Sequence, residues 1–239
     1  MQIIIPMAGE GKRFLSKYSA PKYLIFLDQM PMFIKAIQSC DFKGKYFLII
    51  KDNEFKTQIS ENLTKNGIVG EVILIDQKTN GPAETCLKAE REVINDEELI
   101  VMNCDQVMNW SSENFLHTAR KYDGAIVTYH ADTKKNSYAK INKNNEVLEI
   151  KEKEVISNVS LNGIHYWKKA RYFFDSVKKM MLNNDLSNNE YYVGPSFNYM
   201  IREGLKVGIY HIPNEQHWAV GTPDDLEKYI NKKNENLQN

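Results

Sequence analysis

The chain has 239 residues, enough for one large α/β domain or two small ones, and its apolar content of 42% suits a sizeable packed core. Lysine plus arginine and aspartate plus glutamate both number 31, and a net charge of zero argues against a general nucleic-acid or membrane-surface protein. No apolar run approaches the roughly 20 residues that span a bilayer, no signal peptide is visible ahead of the first strand, and the three scattered cysteines (Cys40, Cys86, Cys104) suit a reducing cytoplasm and lack zinc-site spacing.

Residues 3–6 predict a short buried strand. It runs into Met7-Ala8-Gly9-Glu10-Gly11-Lys12-Arg13-Phe14, a loop with two glycines and a basic pair, and on to Pro21-Lys22. Glycine lets a backbone approach a ligand closely. A loop of free N–H groups after a strand is a natural cradle for phosphate. Arg13 and Lys22 place charge where triphosphate oxygens would lie, arginine as a bidentate grip and lysine as a point charge. The loop is neither the three-glycine dinucleotide fingerprint nor a Walker loop. On its own it equally suits an α/β protein whose lysines are surface groups.

Residues 23–27 form a short apolar segment and 28–31 a turn. Over 32–40, Phe33, Ile34 and Ile37 suit a helix face. Residues 46–50 read as a buried strand, and a helix follows on Phe55, Ile59 and Leu63, ended by Asn66-Gly67. The next strand is 72–75. Strands alternating with helices at this spacing predict βαβ units and a parallel sheet. Residues 76–82 form a strand-to-helix turn with a helix beginning near Ala83.

Residues 99–106 read as an apolar strand that ends in an acid, Asp105, at its C-terminal tip. Ligands of open parallel sheets bind outside those tips. A carboxylate there either holds Mg²⁺ together with substrate phosphates or caps the next turn. Asp123-Gly124 leads into a strand over 125–129. Residues 138–141 and 147–150 alternate around Asn144-Asn145 as a hairpin, and the charge run 151–154 after it reads as a solvated edge. Residues 158–167 form a strand. Phe173, Val177 and Met181 mark a helix. Glu190 is either an acceptor contact or a helix-start acid. Phe197, Met200 and Ile201 mark another helix, and 207–210 the last strand. Thr222 caps a final helix with Pro223 at its first position. Residues 231–239 read as a frayed tail, and the five histidines as structural.

In order and spacing, the initial loop, Pro21-Lys22, Gln77 with Gly81-Pro82-Ala83, Asn103-Cys104-Asp105, Glu152-Lys153, Asn162-Gly163-Ile164 and Gly221-Thr222-Pro223 resemble the sugar-phosphate nucleotidyltransferases, the pyrophosphorylases that make nucleotide sugars. The resemblance runs over about 2–230. It implies a Rossmann-like nucleotidyltransferase fold, α/β, with a mixed, mostly parallel sheet and helices on both faces. One domain would span 1–230, its nucleotide-binding part about 1–110 and its acceptor part about 111–230, with a flexible tail at 231–239.

The resemblance also assigns roles. Met7, Ala8, Gly9, Gly11, Gln77, Gly81 and Pro82 bind the nucleotide, and the Gln77 amide, donor and acceptor at once, reads a pyrimidine edge. Arg13, Lys22 and Lys153 are catalytic: Arg13 on the β/γ-phosphates, Lys22 on the transferring α-phosphate, Lys153 on the acceptor phosphate. Glu152, Asn162, Gly163 and Glu190 bind the acceptor, and Asp105 holds Mg²⁺. The expected reaction joins a nucleoside monophosphate from an NTP to a phosphorylated small molecule, a sugar 1-phosphate first, with release of pyrophosphate. Its product would serve surface or capsular polysaccharide synthesis in the cytoplasm. An acceptor phosphate with a second pKa near about 6 is already anionic at neutral pH, so no triad is needed.

This chain departs from the family at three places. Lys12 stands where a small hydroxyl residue is usual, Glu154 where proline is common, and Ala219 where many pyrophosphorylases have a second aspartate ligand for Mg²⁺. The last departure leaves room for a CTP-dependent cytidylyltransferase acting on a non-sugar phosphate such as phosphocholine or phosphoglutamine. A glycosyltransferase would want an Asp-x-Asp motif, which Asp105-Gln106-Val107 lacks, and a non-catalytic nucleotide-binding regulator would not need all four of Arg13, Lys22, Asp105 and Lys153. Neither nucleic acid nor membrane is expected as a partner, and homo-oligomerisation is left open.

Overall fold

The computed structural model describes every residue except Glu10, Ser16, Ser19 and Asn239. In chain order the elements are β1 (Gln2–Pro6), α1 (Lys12–Leu15), β2 (Phe26–Leu27), β3 (Met30–Pro31), α2 (Met32–Cys40), β4 (Lys45–Ile50), α3 (Lys56–Lys65), β5 (Gly70–Leu74), α4 (Pro82–Leu87), β6 (Leu99–Met102) and β7 (Gln106–Met108). They continue as α5 (Ser112–Ala119), β8 (Gly124–His130), β9 (Ser137–Ile141), β10 (Val147–Glu152), β11 (Val159–Trp167), α6 (Ala170–Leu182), α7 (Phe197–Arg202), β12 (Val207–His211), β13 (His217–Ala219) and α8 (Pro223–Gln238).

β1 lies at the centre because it is apolar on both sides. Ile3 and Ile5 belong to one core and Ile4 to the other. Parallel strands buried on both faces read as continuous apolar runs for this reason. On one face, Phe33, Ile37, Ile59, Leu63 and Phe115 from α2, α3 and α5 pack with Ile3, Ile5 and Leu48. On the other, Ala83, Phe173, Phe174, Val177, Phe197 and Met200 from α4, α6 and α7 pack with Ile4, Ile49 and Val101. Trp167 anchors that second face, its ring stacked on Phe197 at 4.4 Å between centroids.

The nine-stranded sheet runs β10-β9-β11-β6-β1-β4-β5, with β8 on β11 and β12 on β8. β6, β1, β4 and β5 are mutually parallel, and β12 is parallel to β8. β11 enters antiparallel to β6, β8 and β9, and β10 antiparallel to β9. Only β10 and β11 therefore oppose the common direction, so the sheet is mostly parallel with helices on both faces, as expected.

A third cluster was not legible strand by strand. Phe14, Ile25, Leu27, Met32, Val107, Val220 and Leu226 form a small core under the N-terminal loop. It is closed by two ribbons, β2 on β3 and β13 on β7. The last predicted strand was 207–210, so β13 lies beyond the expected series. It forms because pairing Ala219 with Gln106 and Trp218 with Val107 satisfies a short backbone stretch that no sequence period marks. In α6 it is Met180, not Met181, that is buried with Phe173 and Val177, because 3.6 residues per turn carries the stripe back after two turns. Backbone over 231–238, expected to fray, continues α8. That helix is held by Tyr229 and Lys233, which reach Asp28 at 3.0 and 2.5 Å.

Candidate active site

One cleft lies beyond the C-terminal ends of the parallel strands, in two halves. The smaller half, roughly 550 Å³, is lined by Ala8, Gly9, Gly11, Lys78, Thr79, Gly81 and Glu190 among others. The larger, roughly 1050 Å³, is lined by Asn103, Asp105, Gln106, Glu152, Lys153, Asn162, Gly163, Asp225 and the 130–137 loop among others. Arg13, Lys22, Pro82, Tyr192 and Gly221 border both. The two halves meet over these residues.

The smaller half starts where β1 stops. Met7 N–H still bonds to Ile49 O at 2.8 Å, and after it the chain leaves the sheet. The loop backbone then turns at Gly11, with φ of +57°, into the single turn of α1, which carries Arg13. Opposite stands Gly81, with φ of +122°, at the start of α4. A Cβ at Gly81 would lie 2.7 Å from the Tyr191 backbone, so only glycine lets the segment around Tyr191 pack there. Ala83 N–H bonds Tyr191 O at 2.9 Å, and this contact carries Glu190 and Tyr192 to the waist of the cleft.

At the waist, Lys22 Nζ donates to Asp105 Oδ2 at 2.6 Å, with 26% and 21% of the two side chains exposed. Burial alone would lower the lysine pKa, but the Asp105 carboxylate outweighs it and holds Lys22 above its ordinary value. Burial would likewise raise the Asp105 pKa, and Lys22 instead holds it below the usual carboxylate range. Val220 N–H bonds Asp105 O at 2.9 Å. Gly221 sits so close that a Cβ there would lie 2.4 Å from Asp105 Oδ2. The Gly221-Thr222-Pro223 motif thus does two jobs. Gly221 makes room for the carboxylate, and Thr222 Oγ1 caps α8 by accepting from Asp225 N–H at 3.2 Å.

In the larger half, β10 ends at Glu152, whose carboxylate accepts from Ser137 Oγ. Burial raises the Glu152 pKa, against the Ser137 hydrogen bond and the charge of Lys153. Lys153 has the uncommon φ of +56°. Its Nζ donates to Tyr192 Oη at 2.6 Å and lies 4.7 Å above that ring's centroid. β11 carries a register shift between Leu161 and His165, a bulge at Asn162-Gly163 facing the cleft. Asn162 Oδ1 accepts from Ile164 N–H at 2.9 Å inside that bulge. Bulges of this kind re-aim strands beside functional sites.

The structure therefore brings together Ala8, Gly9, Gly11, Arg13, Lys22, Gly81, Pro82, Asp105, Glu152, Lys153, Asn162 and Gly163. Three expected residues stand elsewhere. Met7 is 3% exposed and packs in the core, so its side chain is not part of the cleft wall. Gln77 is exposed and lines neither half. β5 ends at Leu74, and the turn after it sends Lys78 and Thr79, not Gln77, to the cleft. Glu190, expected as an acceptor contact, lines the smaller half beside Gly81 and not the larger half that holds Glu152, Asn162 and Gly163.

Sequence reasoning passed over Tyr192, Gln106, Tyr129, His165, His217 and Asp225, all lining the larger half. Tyr192 sits two residues from Glu190, and Asp225 was visible only as a first-turn acid of α8. Of the histidines, His211 bonds Thr128 Oγ1 at 3.1 Å. His217 packs its ring, tilted by 54°, against Tyr129 at 4.7 Å between centroids, with burial lowering its pKa to about 4 against the pull of Asp105.

Among the described residues no three His, Cys, Asp or Glu side chains gather as a metal cluster. Asp105 is nonetheless a hard oxygen donor at the meeting point of both halves. That suits Mg²⁺, which takes one or two carboxylates with phosphate oxygens and water. Ala219 lines the same half and offers no oxygen from its side chain; Asp132, Glu152 and Asp225 are further carboxylates of that half, Asp225 Oδ2 accepting from Thr222 Oγ1 at 2.6 Å.

Fold and cleft together define a Rossmann-like α/β protein whose glycine loop after β1 lines one half of the cleft and whose Asp105, beyond the end of β6, lines the other. The chain belongs to the Nucleotidyl transferase family, whose profile matches residues 2–236. It is 27% identical over 223 residues to the bifunctional protein GlmU of Clostridioides difficile (strain 630), covering 87% of this chain. It spans 46%, about half, of that relative's length. Its fold is similar to that of the nucleoside-diphosphate-sugar pyrophosphorylase from Vibrio cholerae RC9, with a TM-score of 0.86, 21% identity and coverage of 96% of this chain and 99% of the other. It also matches the inositol-1-phosphate CTP transferase from T. maritima, with a TM-score of 0.74, 15% identity and coverage of 94% and 90%. Among the described residues, no helix is long and apolar enough to cross a membrane.

Proposed function

We propose that this protein transfers a nucleoside monophosphate from an NTP, a pyrimidine nucleotide first, to a phosphorylated small molecule, a sugar 1-phosphate first, and releases pyrophosphate. The observation that carries this reading is the two-part cleft whose halves share Arg13 and Lys22, with Asp105 paired to Lys22 at the junction. A nucleotide in the smaller half and an acceptor in the larger would meet there, at the α-phosphorus.

The acceptor phosphate supplies its own anionic oxygen. That oxygen attacks the α-phosphorus, and the bond from α-phosphorus to the bridging oxygen of pyrophosphate breaks. The site's work is alignment and charge neutralisation. Loop backbone at Ala8, Gly9 and Gly11 faces the phosphates. Arg13 meets the β- and γ-phosphates. Lys22 exchanges the Asp105 carboxylate for the α-phosphate, where charge develops. Lys153, steadied on Tyr192, orients the acceptor phosphate. Asp105 would hold Mg²⁺, which when bound would neutralise part of the charge on the phosphates. The resemblance supports a role for the product as a precursor of surface or capsular polysaccharide.

A second reading keeps the fold and uses CTP with a non-sugar phosphate. Ala219, in place of the second aspartate, favours it. Pyrophosphate release with Mg²⁺, crossing CTP, UTP, dTTP, GTP and ATP against hexose 1-phosphates, phosphocholine and phosphoglutamine, tests both. Release with one hexose 1-phosphate supports the first reading. Release only with CTP and a non-sugar phosphate replaces it with the second, and release with no pair overturns both.

A further inference from the structure

Asp28 lines neither half of the cleft. It stands at the tip of the β2–β3 ribbon, where its carboxylate holds three donors at once. Lys233 Nζ lies 2.5 Å from its Oδ1, and Lys35 Nζ and Tyr229 Oη lie 2.9 and 3.0 Å from its Oδ2. Only 16% of the Asp28 side chain reaches solvent. Burial would raise its pKa, but the hydrogen bonds from Lys233, Lys35 and Tyr229 outweigh that and hold it below the usual carboxylate range. Asp28 and Gln29 have φ of +52° and +66°, the left-handed pair that a two-residue hairpin turn needs. One charged carboxylate thus joins the ribbon to α2 and to α8, whose Tyr229 is 201 positions away.

What it joins are the two supports of the Lys22–Asp105 pair. Lys22 opens a short helical turn, Lys22–Leu24, that leads directly into β2 and the Asp28 turn. Asp105 leans on the other support. Val220 N–H bonds its carbonyl, Gly221 leaves space for its carboxylate, and Thr222 caps α8. Between the supports lies the small third core. Ile25 and Leu27 enter it from the Lys22 side, and Val220, Leu226 and Tyr229 from the α8 side. In the transfer step Lys22 gives up Asp105 for the α-phosphate, and a direct bond across the waist is lost. Apolar packing is non-directional and lets the two supports slide. The grip of Asp28 on Tyr229 and Lys233 is directional, lies behind the core and survives that exchange.

We propose that Asp28 is a positioning residue for nucleotidyl transfer: by clamping α8 to the segment that carries Lys22, it fixes where Lys22 stands relative to Asp105 and Gly221 as Lys22 turns to the phosphate. It touches neither substrate. The inference rests on the nucleotidyl-transfer reading and adds to it a contact on the far side of the third core. Glu152, Lys153, Asn162 and Gly163 lie on or next to β10 and β11, which contribute nothing to that core. Loss of the clamp should therefore lower kcat and spare the acceptor KM. Misplacing a reacting group by about 1 Å can cost on the order of 100-fold in rate, and one loosened support should cost about 5–20-fold.

The test is a double-mutant cycle of Asp28→Asn with Lys22→Met, read as pyrophosphate release with Mg²⁺ and the wild type's best NTP and acceptor. Asparagine tolerates positive φ, so it keeps the turn and removes the charge. Each assay runs well below the variant's Tm, so that the fraction folded does not enter the rate. With Lys22 present, Asp28→Asn is expected to lower kcat about 5–20-fold and to leave the acceptor KM within about twofold. With Lys22 replaced, it should change kcat by less than about twofold, because the group it positions is gone. A role in folding alone lowers Tm and leaves kcat intact, or lowers kcat by the same factor in both backgrounds, since separate sites add. Lys233→Met removes one arm of the clamp at a side chain 43% exposed, should show the same pattern at smaller size, and carries the cycle if Asp28→Asn does not fold. A kcat within about twofold of wild type for the variant that carries the cycle, or an equal loss in both backgrounds, overturns the assignment and leaves nucleotidyl transfer standing. Absence of pyrophosphate release with every NTP and acceptor pair overturns both.

Discussion

Replacing Lys22 by methionine keeps the length of the side chain and removes its charge from the waist of the cleft. Two effects follow and can be separated. The first is on rate. If Lys22 meets charge developing at the α-phosphate, its loss should lower kcat about 10²–10³-fold. The second is on stability, because Asp105 loses its partner. At 2.6 Å and an effective dielectric constant near 20, the gross attraction is about 6 kcal/mol. Desolvation of both groups cancels most of that, and removing one member of a fully buried pair typically costs about 3–5 kcal/mol. Here about a quarter of the lysine and a fifth of the aspartate side chain reach solvent, and Arg13 still lies close enough to act on Asp105. A net loss of about 1–3 kcal/mol is therefore expected. For a chain of this length that is a fall in Tm of roughly 2–12 °C. Steady-state kinetics and thermal melts read the two effects. The double variant Lys22→Met/Asp105→Asn should regain part of the lost Tm, because no charge is left unpaired, and none of the lost kcat. Turnover of Lys22→Met within about threefold of wild type, or recovery of kcat in the double variant, would refute the reasoning.

Gly221→Ala should keep the fold but push the Asp105 carboxylate aside, since its Cβ would lie 2.4 Å from Oδ2; a raised Mg²⁺ requirement at an unchanged circular-dichroism spectrum is the expected result. Trp167→Ala empties the core between Phe173 and Phe197, at 4.6 and 4.4 Å, and should cost about 3–5 kcal/mol in denaturant unfolding. Glu98 accepts from Arg120 Nε and Nη2 at 2.7 and 2.8 Å, and this arrangement holds its carboxyl below the usual glutamate range. A depressed folded pKa gives stability that is present above the unfolded value and lost as pH falls through the folded one. Arg120→Gln should therefore cost about 1 kcal/mol at pH 7, a figure kept small because half the arginine is exposed. The gap from wild type should close as melts are taken down through pH 4.

Much of the site was legible because its chemistry sits on local signals. A glycine loop after an apolar strand, an acid at a strand tip and a glycine before a helix each announce themselves within ten residues. Ala8, Gly11, Arg13, Lys22, Gly81 and Asp105 line the cleft for that reason. Gln77 shows the limit. It was expected at the nucleotide and lines neither half of the cleft, because whether a turn residue faces in or out depends on how β5 leaves the sheet. Glu190 shows another. It was expected to contact the acceptor with Glu152 and Asn162, and the packing of Tyr191 against Gly81 carries it instead to the smaller half of the cleft.

The sequence by itself determined the alternation of strands and helices, the buried run of β1, the glycine loop that follows it and the acid after β6. These are set by apolar period, by glycine and by charge, all of which act over a few residues. Only the tertiary structure decided that Lys22 would pair with Asp105 across 83 positions, that β13 would fold back on β7 to seat Gly221 against that aspartate, and that Asp28 would hold Tyr229 of α8 across 201 positions. Those outcomes depend on which surfaces meet after the chain collapses, and no local pattern records a contact made that far away.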